Sequence, residues 1–430
     1  MTHRFIIFIL LITATLSSRA QDNSPETQIQ SSSPFNQSKF VPDISFIADF
    51  SYVARDLDND IYSALDIPGL SYPLGHHHGE DDAHDGLNAN RGFNFNYGEM
   101  TLYSIVDPYF DLFAVLHVAP EHAGLEEAYI TTRQLPYGFQ IKAGKFLSSI
   151  GRLNEQHVHS WDFVDRPLVS RTIFGDEGLN EIGARITWVA PTDLYLMLGA
   201  EILTGENESS FGTTGFSDPN SAVNIDDNQQ PGLFVGYART AFDVDEAAFL
   251  LGFSCAHGTT KVGQNFSTSD GEGSALDALT NILCGDLTIK YLIDPIRYIS
   301  FQSEYLYRST SGSFYFRDSS NAILTSGLDR HQAGFYSQLI AKLGLRWRIG
   351  VRYDLLSVNN ATVGTTKSIF PENLTRYSAM AEYNPTEFSR LRMQYNYDRS
   401  KYIHPMIHKP FSEIILQLNV AIGAHGAHSF

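Results

Sequence analysis

The sequence contains no run of 18 apolar residues, which excludes a protein that crosses a membrane with helices of about 20 such residues. Charged residues are scarce, at 18% of the 430 residues, and basic ones are the scarcer, with 30 Lys and Arg against 48 Asp and Glu. The resulting formal net charge of -18 argues against a nucleic-acid partner and against a basic surface that collects anions.

Catalytic motifs are also missing. The sequence has no Gly-x-Ser-x-Gly, no His-Glu-x-x-His and no phosphate-binding loop. Ser160 follows His159, but adjacency in sequence does not establish the hydrogen bond that activates a serine nucleophile. We therefore expect that the protein is not an enzyme.

Cysteine occurs only twice, at Cys255 and Cys284, near the facing ends of neighbouring predicted strands. An oxidising envelope would permit a disulfide between them. Two free thiols fit the sequence equally well, because the register of the two strands decides whether the sulfur atoms can meet.

The longest apolar stretch lies at the N terminus, where the 12 residues 5–16 follow Arg4 and end near Ala20. A basic start, a short apolar stretch and small residues indicate a secretory signal that is cleaved after Ala20. A buried first helix is the alternative, but residues 21–39 are polar and rich in Ser and Gln. Cleavage would remove Arg4 and Arg19, and the charge of -18 would become -20.

The rest of the chain shows a regular rhythm of segments and gaps. Sixteen segments of about 10–14 residues alternate apolar with polar side chains, and the gaps between them are alternately long and short. This rhythm is typical of an outer-membrane β-barrel, which has short periplasmic turns and longer external loops. The predicted strands are 44–55, 93–106, 109–119, 124–134, 138–149, 181–190, 193–203, 232–243, 246–258, 283–293, 297–309, 333–343, 345–356, 374–384, 387–399 and 412–424.

The alternation is cleanest late in the chain. Trp347, Ile349 and Val351 form one face of a strand, and Arg348 and Arg352 form the other. Because a charge that faces lipid at mid-bilayer costs about 2–4 kcal/mol, the arginine face must point into a wet lumen. A soluble β-sandwich would also alternate, but it would not require an even number of strands with loops that lengthen on one side only.

These patterns predict an all-β protein, a transmembrane antiparallel β-barrel of about 16 strands in the outer membrane of a Gram-negative bacterium. Such a barrel leaves an aqueous channel unless something folds into it. The mature segment before the first strand is too short for a separate plug domain, so we expect none. We divide the chain into a signal peptide (1–20), a periplasmic N-terminal segment (21–42) and the barrel (43–430).

The first external loop, 56–92, holds four histidines and four carboxylates within ten residues. Neutral imidazole and carboxylate oxygen are ligands that suit zinc, so we expect a labile site that captures a divalent metal ion. A solvated loop with fortuitous histidines is the alternative. The predicted ligands are His76, His77, His78, Glu80, Asp81, Asp82, His84 and Asp85.

The third external loop, 150–180, combines histidines, carboxylates and aromatic residues. By analogy with sixteen-stranded porins, we expect it to fold inwards and narrow the pore. A short helix over 155–165 would place His159 and Asp162 on one face, opposite a wall of arginines, and such crossed walls select small solutes by charge. Alternatively, the loop is merely packed, and neighbouring charges pair locally. The predicted constriction residues are His157, His159, Asp162, Asp165, Arg166, Arg346, Arg348 and Arg352.

Several segments resemble a group of Gram-negative outer-membrane proteins labelled zinc-regulated, TonB-dependent outer-membrane receptors, and more distantly the phosphate-selective porins. The resemblance implies zinc passage. The chain departs from the group because it has no room for a plug, so we expect a passive channel. The resembling segments are Gly124–Tyr129, Lys142–Phe146, Asn154–Trp161 and the tail Gly423–His428.

The sequence therefore predicts an outer-membrane channel for divalent metal ions, with zinc as the foremost candidate and no resident cofactor. A general or anion-selective porin with an incidental histidine loop is the alternative, and a barrel with a closed pore is a third. The expected partners are outer-membrane lipid and lipopolysaccharide, metal ions and the barrel-assembly machinery, whose recognition signal the terminal Phe430 resembles. A homotrimer is expected by porin analogy alone.

Overall fold

The computed structural model describes residues 42–70, 87–119, 123–217, 223–264, 273–317, 322–403 and 407–423. Its main feature is one closed sheet of antiparallel strands. In chain order the strands of this sheet are β1 (Asp43–Arg55), β2 (Gly92–Ile105), β3 (Phe110–Val118), β4 (Ala123–Thr132), β5 (Phe139–Leu147), β6 (Asn180–Val189), β7 (Tyr195–Leu203), β8 (Leu233–Val244), β9 (Ala247–Gln264), β10 (Ser274–Leu292), β11 (Tyr298–Arg317), β12 (Ile323–Lys342), β13 (Trp347–Val363), β14 (Leu374–Thr386), β15 (Ser389–Asp398) and β16 (Phe411–Gly423).

Each strand pairs with the next along the chain, and β1 closes the barrel by pairing with β16 from Ser45–Gly423 to Arg55–Glu413. The predicted sixteen-stranded barrel is confirmed. The strands β9 to β13 are longer than predicted, at 17 to 20 residues. Parts of these extensions, such as residues 309–313, are polar on both faces, so the sequence shows no alternation there.

The distribution of apolar and polar side chains is the reverse of that in a soluble protein. On β16, Ile414, Leu416 and Leu418 are 38 to 47% exposed, whereas the intervening Gln417 and Asn419 are at most 8% exposed. Apolar side chains on the outside and polar ones inside are what a barrel in lipid requires. The protein is therefore an outer-membrane β-barrel. None of the described helices is long and apolar enough to span a membrane.

The two cysteines point to opposite sides of the barrel wall. In the register of β9 and β10, Ser254 lies opposite Cys284 and Cys255 lies opposite Leu283. Cys255 is exposed, Cys284 is buried, and both are free thiols. Since neighbouring positions on a strand face opposite sides, the possible disulfide does not form, and the alternative of two free thiols is the one observed.

The remaining elements are short and lie in the loops. The helices are α1 (Asn59–Ser63) and α2 (Leu168–Phe174), with 3-10 turns at Pro136–Gly138, Leu153–Glu155 and Val158–Ser160. Minor strands are Leu65–Asp66, Gly212–Thr213, Phe216–Ser217, Asn224–Ile225, Thr366–Ile369, Tyr402–Ile403 and Ile407–His408.

The third loop, residues 148–179, lies inside the barrel. Its apolar side chains, among them Ile150 and Val169, share a buried cluster with inward-facing wall residues such as Ile282 and Leu356. The described residues include no separate plug domain, and this loop instead fills part of the lumen.

Candidate functional site

The third loop is held in the lumen by backbone hydrogen bonds to side chains of the wall. The amide of Leu153 donates to Glu304 on β11 at 2.7 Å. The amide of Val164 donates to Gln394 on β15 at 2.9 Å, and Leu168 donates to Asp354 on β13 at 2.8 Å. Because a buried loop must pair its backbone groups, these inward polar side chains are what allows the loop to sit there.

The acidic residues of the loop contact the arginines of the wall directly. Arg348 pairs with Asp162 and, at 3.1 Å, with Glu382 on β14. Arg352 pairs with Asp165 at 2.7 Å and with Asp354 at 2.9 Å. The two walls that the sequence predicted to face each other across a pore are therefore joined by ion pairs at these positions.

Asp165 is the centre of this contact. Besides Arg352 it receives Arg376 at 2.9 Å and Gln394 at 2.8 Å. Burial by itself would raise the pKa of Asp165, but Arg352, Arg376 and the hydrogen bond from Gln394 outweigh it and lower the pKa to about 2. The carboxylate is thus charged and fully matched by positive partners.

Two predicted constriction residues lie elsewhere. Arg346 sits at the periplasmic turn between β12 and β13, where it is exposed and contacts the Tyr383 hydroxyl at 3.3 Å. The predicted strand, 345–356, started two residues too early, because the strand begins at Trp347. Arg166 is buried within the loop, where it donates to the backbone oxygen of Asp176 at 3.1 Å.

Residues 155–165 do not form the short helix that would place His159 and Asp162 on one face. Two 3-10 turns, Leu153–Glu155 and Val158–Ser160, replace it, and His157 between them is extended. Asp162 consequently points to β13, whereas the rings of His157 and His159 stack with centroids 5.7 Å apart and point to the opposite wall.

The two histidines meet three carboxylates on β2 and β4. His157 Nε2 lies 2.9 Å from Glu127 Oε2, and His157 Nδ1 lies 3.4 Å from Glu126 Oε1. His159 Nδ1 lies 2.9 Å from Glu99 Oε2. We call these five residues the Glu/His cluster. One atom each of Glu99, Glu126 and His157 lie within 4.8 Å of one another.

A β-bulge explains why two adjacent glutamates face the same side. In the pairing of β3 with β4, Val115 lies opposite Glu127 and Leu116 lies opposite Leu125, so Glu126 is the extra residue. A bulge interrupts the alternation of a strand and allows consecutive side chains to turn to one face. Glu126 and Glu127 therefore both point into the lumen, where their side chains are 21% and 6% exposed.

The cluster stabilises positive charge. Burial by itself lowers the pKa of His157, but the carboxylates of Glu126, Glu127 and Glu99 outweigh it and raise that pKa well above its ordinary value of 6.5. The site thus supplies a strongly negative potential at the position of the His157 ring.

Sequence reasoning missed the three glutamates. The signal was the pair Glu126–Glu127 inside a predicted strand, because one of two adjacent carboxylates would otherwise face lipid. The signal peptide, residues 21–41 and the whole predicted capture site lie outside the described residues. The capture-site residues are His76, His77, His78, Glu80, Asp81, Asp82, His84 and Asp85.

Comparison with solved structures finds bacterial outer-membrane proteins. The chain is similar to the outer-membrane channel DcaP of Acinetobacter baumannii, with a TM-score of 0.49, 10% identity, and coverage of 90% of this chain and 99% of that one. For OmpT of Vibrio cholerae the TM-score is 0.48, at 9% identity over 90% of this chain and 99% of the other.

Comparison of the sequence gives a closer relative, although no protein-family model matches the chain. An uncharacterized protein of Aquifex aeolicus (strain VF5) is 46% identical over 399 residues, which are 93% of this chain and 82% of the relative. Identity at this level over nearly the full chain reflects common descent, so the chain belongs to the same protein family as the Aquifex aeolicus protein.

Proposed function

We propose that the protein is a porin-like diffusion channel that passes divalent metal ions, with zinc as the foremost candidate. The observation that carries this proposal is the uneven matching of charge inside the barrel. On one side four arginines of β13 to β15 are paired with carboxylates, and on the other side carboxylates face histidines.

The arginine side offers little to a passing anion. Besides Arg348 and Arg352, Arg376 pairs with Asp165 at 2.9 Å and Arg392 pairs with Glu382 at 2.7 Å. Arginines that are already held by carboxylates are poor docking points for another anion, so this geometry disfavours an anion-selective pore.

The Glu/His cluster carries no net positive charge at any state of protonation of its histidines, so it does not favour anions. It holds three carboxylates against two imidazoles, and His117, opposite Glu99 in the register of β2 and β3, adds a third. With ionised carboxylates the charge of this group ranges from -3 to zero and is never positive. Rings of carboxylates are a common device of cation channels.

Zinc is favoured over other cations by the chemistry of the donors. Imidazole nitrogen and carboxylate oxygen together suit zinc, whereas calcium prefers six to eight oxygen ligands. The resemblance to zinc-regulated outer-membrane receptors and the predicted capture loop at 75–85 point the same way. Passive conduction requires that each binding step be weak. Assembly as a homotrimer stays a prediction.

Reversal potentials across a planar bilayer test the proposal. Under a gradient of zinc chloride we expect a cation preference, which the combined change Glu99→Gln, Glu126→Gln and Glu127→Gln should abolish. The matched control removes two exposed carboxylates at a periplasmic turn, Asp243→Asn with Asp245→Asn, and should keep the preference. An anion preference, or no conductance at all, overturns the proposal.

The capture loop is tested separately by deleting residues 75–85. We expect fewer zinc equivalents bound by the purified protein and slower growth of the cells when zinc is limited by a chelator. If the deletion changes neither the zinc equivalents bound nor growth under the chelator, the loop has no role in zinc capture.

A further inference from the structure

Three metal-ligating side chains from three separate segments converge in the lumen. Glu99 lies on β2, Glu126 on β4 and His157 in the third loop, and one donor atom of each lies within 4.8 Å of the other two. Ligands of a tetrahedral zinc ion are about 3.4 Å apart at bond lengths near 2.1 Å, so each donor has to move by about 1 Å at most. Side-chain rotation covers such a distance.

Two side-chain atoms of these three residues are buried without a hydrogen-bond partner among the described residues. They are His157 Nδ1 and Glu126 Oε2. Buried polar atoms in folded proteins are ordinarily paired with protein, water or an ion. The two atoms belong to side chains that lie against each other, since His157 Nδ1 is 3.4 Å from Glu126 Oε1. The two polar atoms that lack a hydrogen-bond partner therefore lie close to each other.

The remaining members of the cluster orient these donors. His157 Nε2 lies 2.9 Å from Glu127, whose other oxygen accepts the backbone N–H of Leu147 at 2.8 Å. A histidine that donates one ring N–H to a carboxylate and turns its other nitrogen to the ion is the usual arrangement in metal sites, and binding of an ion here would displace the Nδ1 proton of His157. His159 holds Glu99 in the same way at 2.9 Å, and the Glu99 side chain is 2% exposed.

From this geometry we infer that Glu99, Glu126 and His157 bind one divalent transition-metal ion, with Glu127 and His159 as positioning residues. The donor set of one nitrogen and two carboxylates suits Zn²⁺, Fe²⁺, Co²⁺ or Ni²⁺ and leaves coordination positions for water. The inference deepens the proposed function, on which it rests for its role in transport, because it names the lumenal site of the conducted ion. The bound ion would also join the third loop to β2 and β4.

Binding of Co²⁺ and Zn²⁺ to the purified full-length protein in detergent tests the site. Wild type is expected to bind one equivalent of Zn²⁺ more than Glu126→Gln or His157→Gln. Bound Co²⁺ should give an absorption band in wild type that disappears when Zn²⁺ replaces the Co²⁺. The Zn²⁺ equivalents bound by the capture loop, residues 75–85, are expected to be the same in every variant. Glu126→His, which supplies another zinc ligand, is expected to retain the equivalent within about tenfold in affinity.

The matched control is His331→Asn, which removes a histidine paired with a carboxylate elsewhere on the barrel, Asp329 at 3.1 Å. It should bind as wild type does. Equal stoichiometry in wild type, Glu126→Gln and His157→Gln overturns the inference, provided that the variants keep the β-sheet circular dichroism of the folded barrel.

The two proposals fail in different ways. If the channel conducts cations selectively but wild type binds no more Zn²⁺ than Glu126→Gln and His157→Gln, the lumenal metal site is refuted and the channel function stands. If both variants lose one equivalent of Zn²⁺ but the protein carries no zinc current, the metal site stands and the channel function is refuted.

Discussion

Replacing Asp165 by asparagine should loosen the third loop from the barrel wall. The carboxylate is held by Arg352 at 2.7 Å, Arg376 at 2.9 Å, Gln394 at 2.8 Å and Asn396 at 3.2 Å, and its side chain is 19% exposed. These partners lower its pKa from 3.8 to about 2. A shift of that size corresponds to about 2 kcal/mol of stabilisation of the charged form, at about 1.4 kcal/mol per pKa unit.

Hydrogen exchange at the loop amides measures this loss. The amides of Val164 and Leu168 lie on either side of Asp165 and donate to wall side chains, so they exchange only when the loop opens. A loss of about 2 kcal/mol increases the opening constant about 30-fold. The control, Asp176→Asn, removes the exposed partner of Arg171 and should change exchange by less than about fivefold.

The same carboxylate predicts a dependence on pH. Because the pKa of Asp165 is lower in the folded protein than its ordinary value of 3.8, its contribution is complete above that value and is lost as the pH falls towards about 2. Protection of the loop amides should therefore be constant from neutral pH to about 5 and should decrease below about 4 more steeply in wild type than in Asp165→Asn. Equal protection in wild type and Asp165→Asn would refute the reasoning.

Further predictions concern the wall and its turns. Alkylation without reductant should label both Cys255 and Cys284 in the denatured chain, and a mass that shows a disulfide would contradict the register. Leu416→Arg, on the lipid face, should destabilise the barrel by about 2–4 kcal/mol in urea titrations in liposomes, and no loss would contradict the orientation of β16. Arg346→Gln should leave single-channel conductance unchanged, whereas Arg348→Gln should speed loop exchange because it removes the arginine that pairs with Asp162 of the loop.

The barrel could be predicted because its signals are local. A strand such as Trp347–Val363 shows its lipid face by apolar residues at every second position, and turns show themselves by Asp, Asn, Pro and Gly. Where β9 to β13 extend beyond the predicted strands, stretches such as residues 309–313 are polar on both faces. The alternation disappears there, and the outer halves of these strands were predicted as loops.

The candidate site could be predicted only in part. His157, His159 and Asp162 could be predicted because imidazoles and carboxylates can bind ions and because their loop was expected to turn inwards. Their partners depend on the path of that loop. Two 3-10 turns send the histidines to β2 and β4 and send Asp162 to β13, and nothing in residues 150–180 alone specifies which wall each one reaches.

The sequence by itself determined the barrel, its sixteen strands and the lumenal face of most of them, because a period of two and turn chemistry are properties of adjacent residues. Tertiary structure decided which charges meet. Glu126 and Glu127 share a face only because β4 bulges against β3, and Asp165 is neutralised only because the loop crosses to β13 and β14. Register shifts and loop paths depend on contacts between distant segments, which no local pattern records.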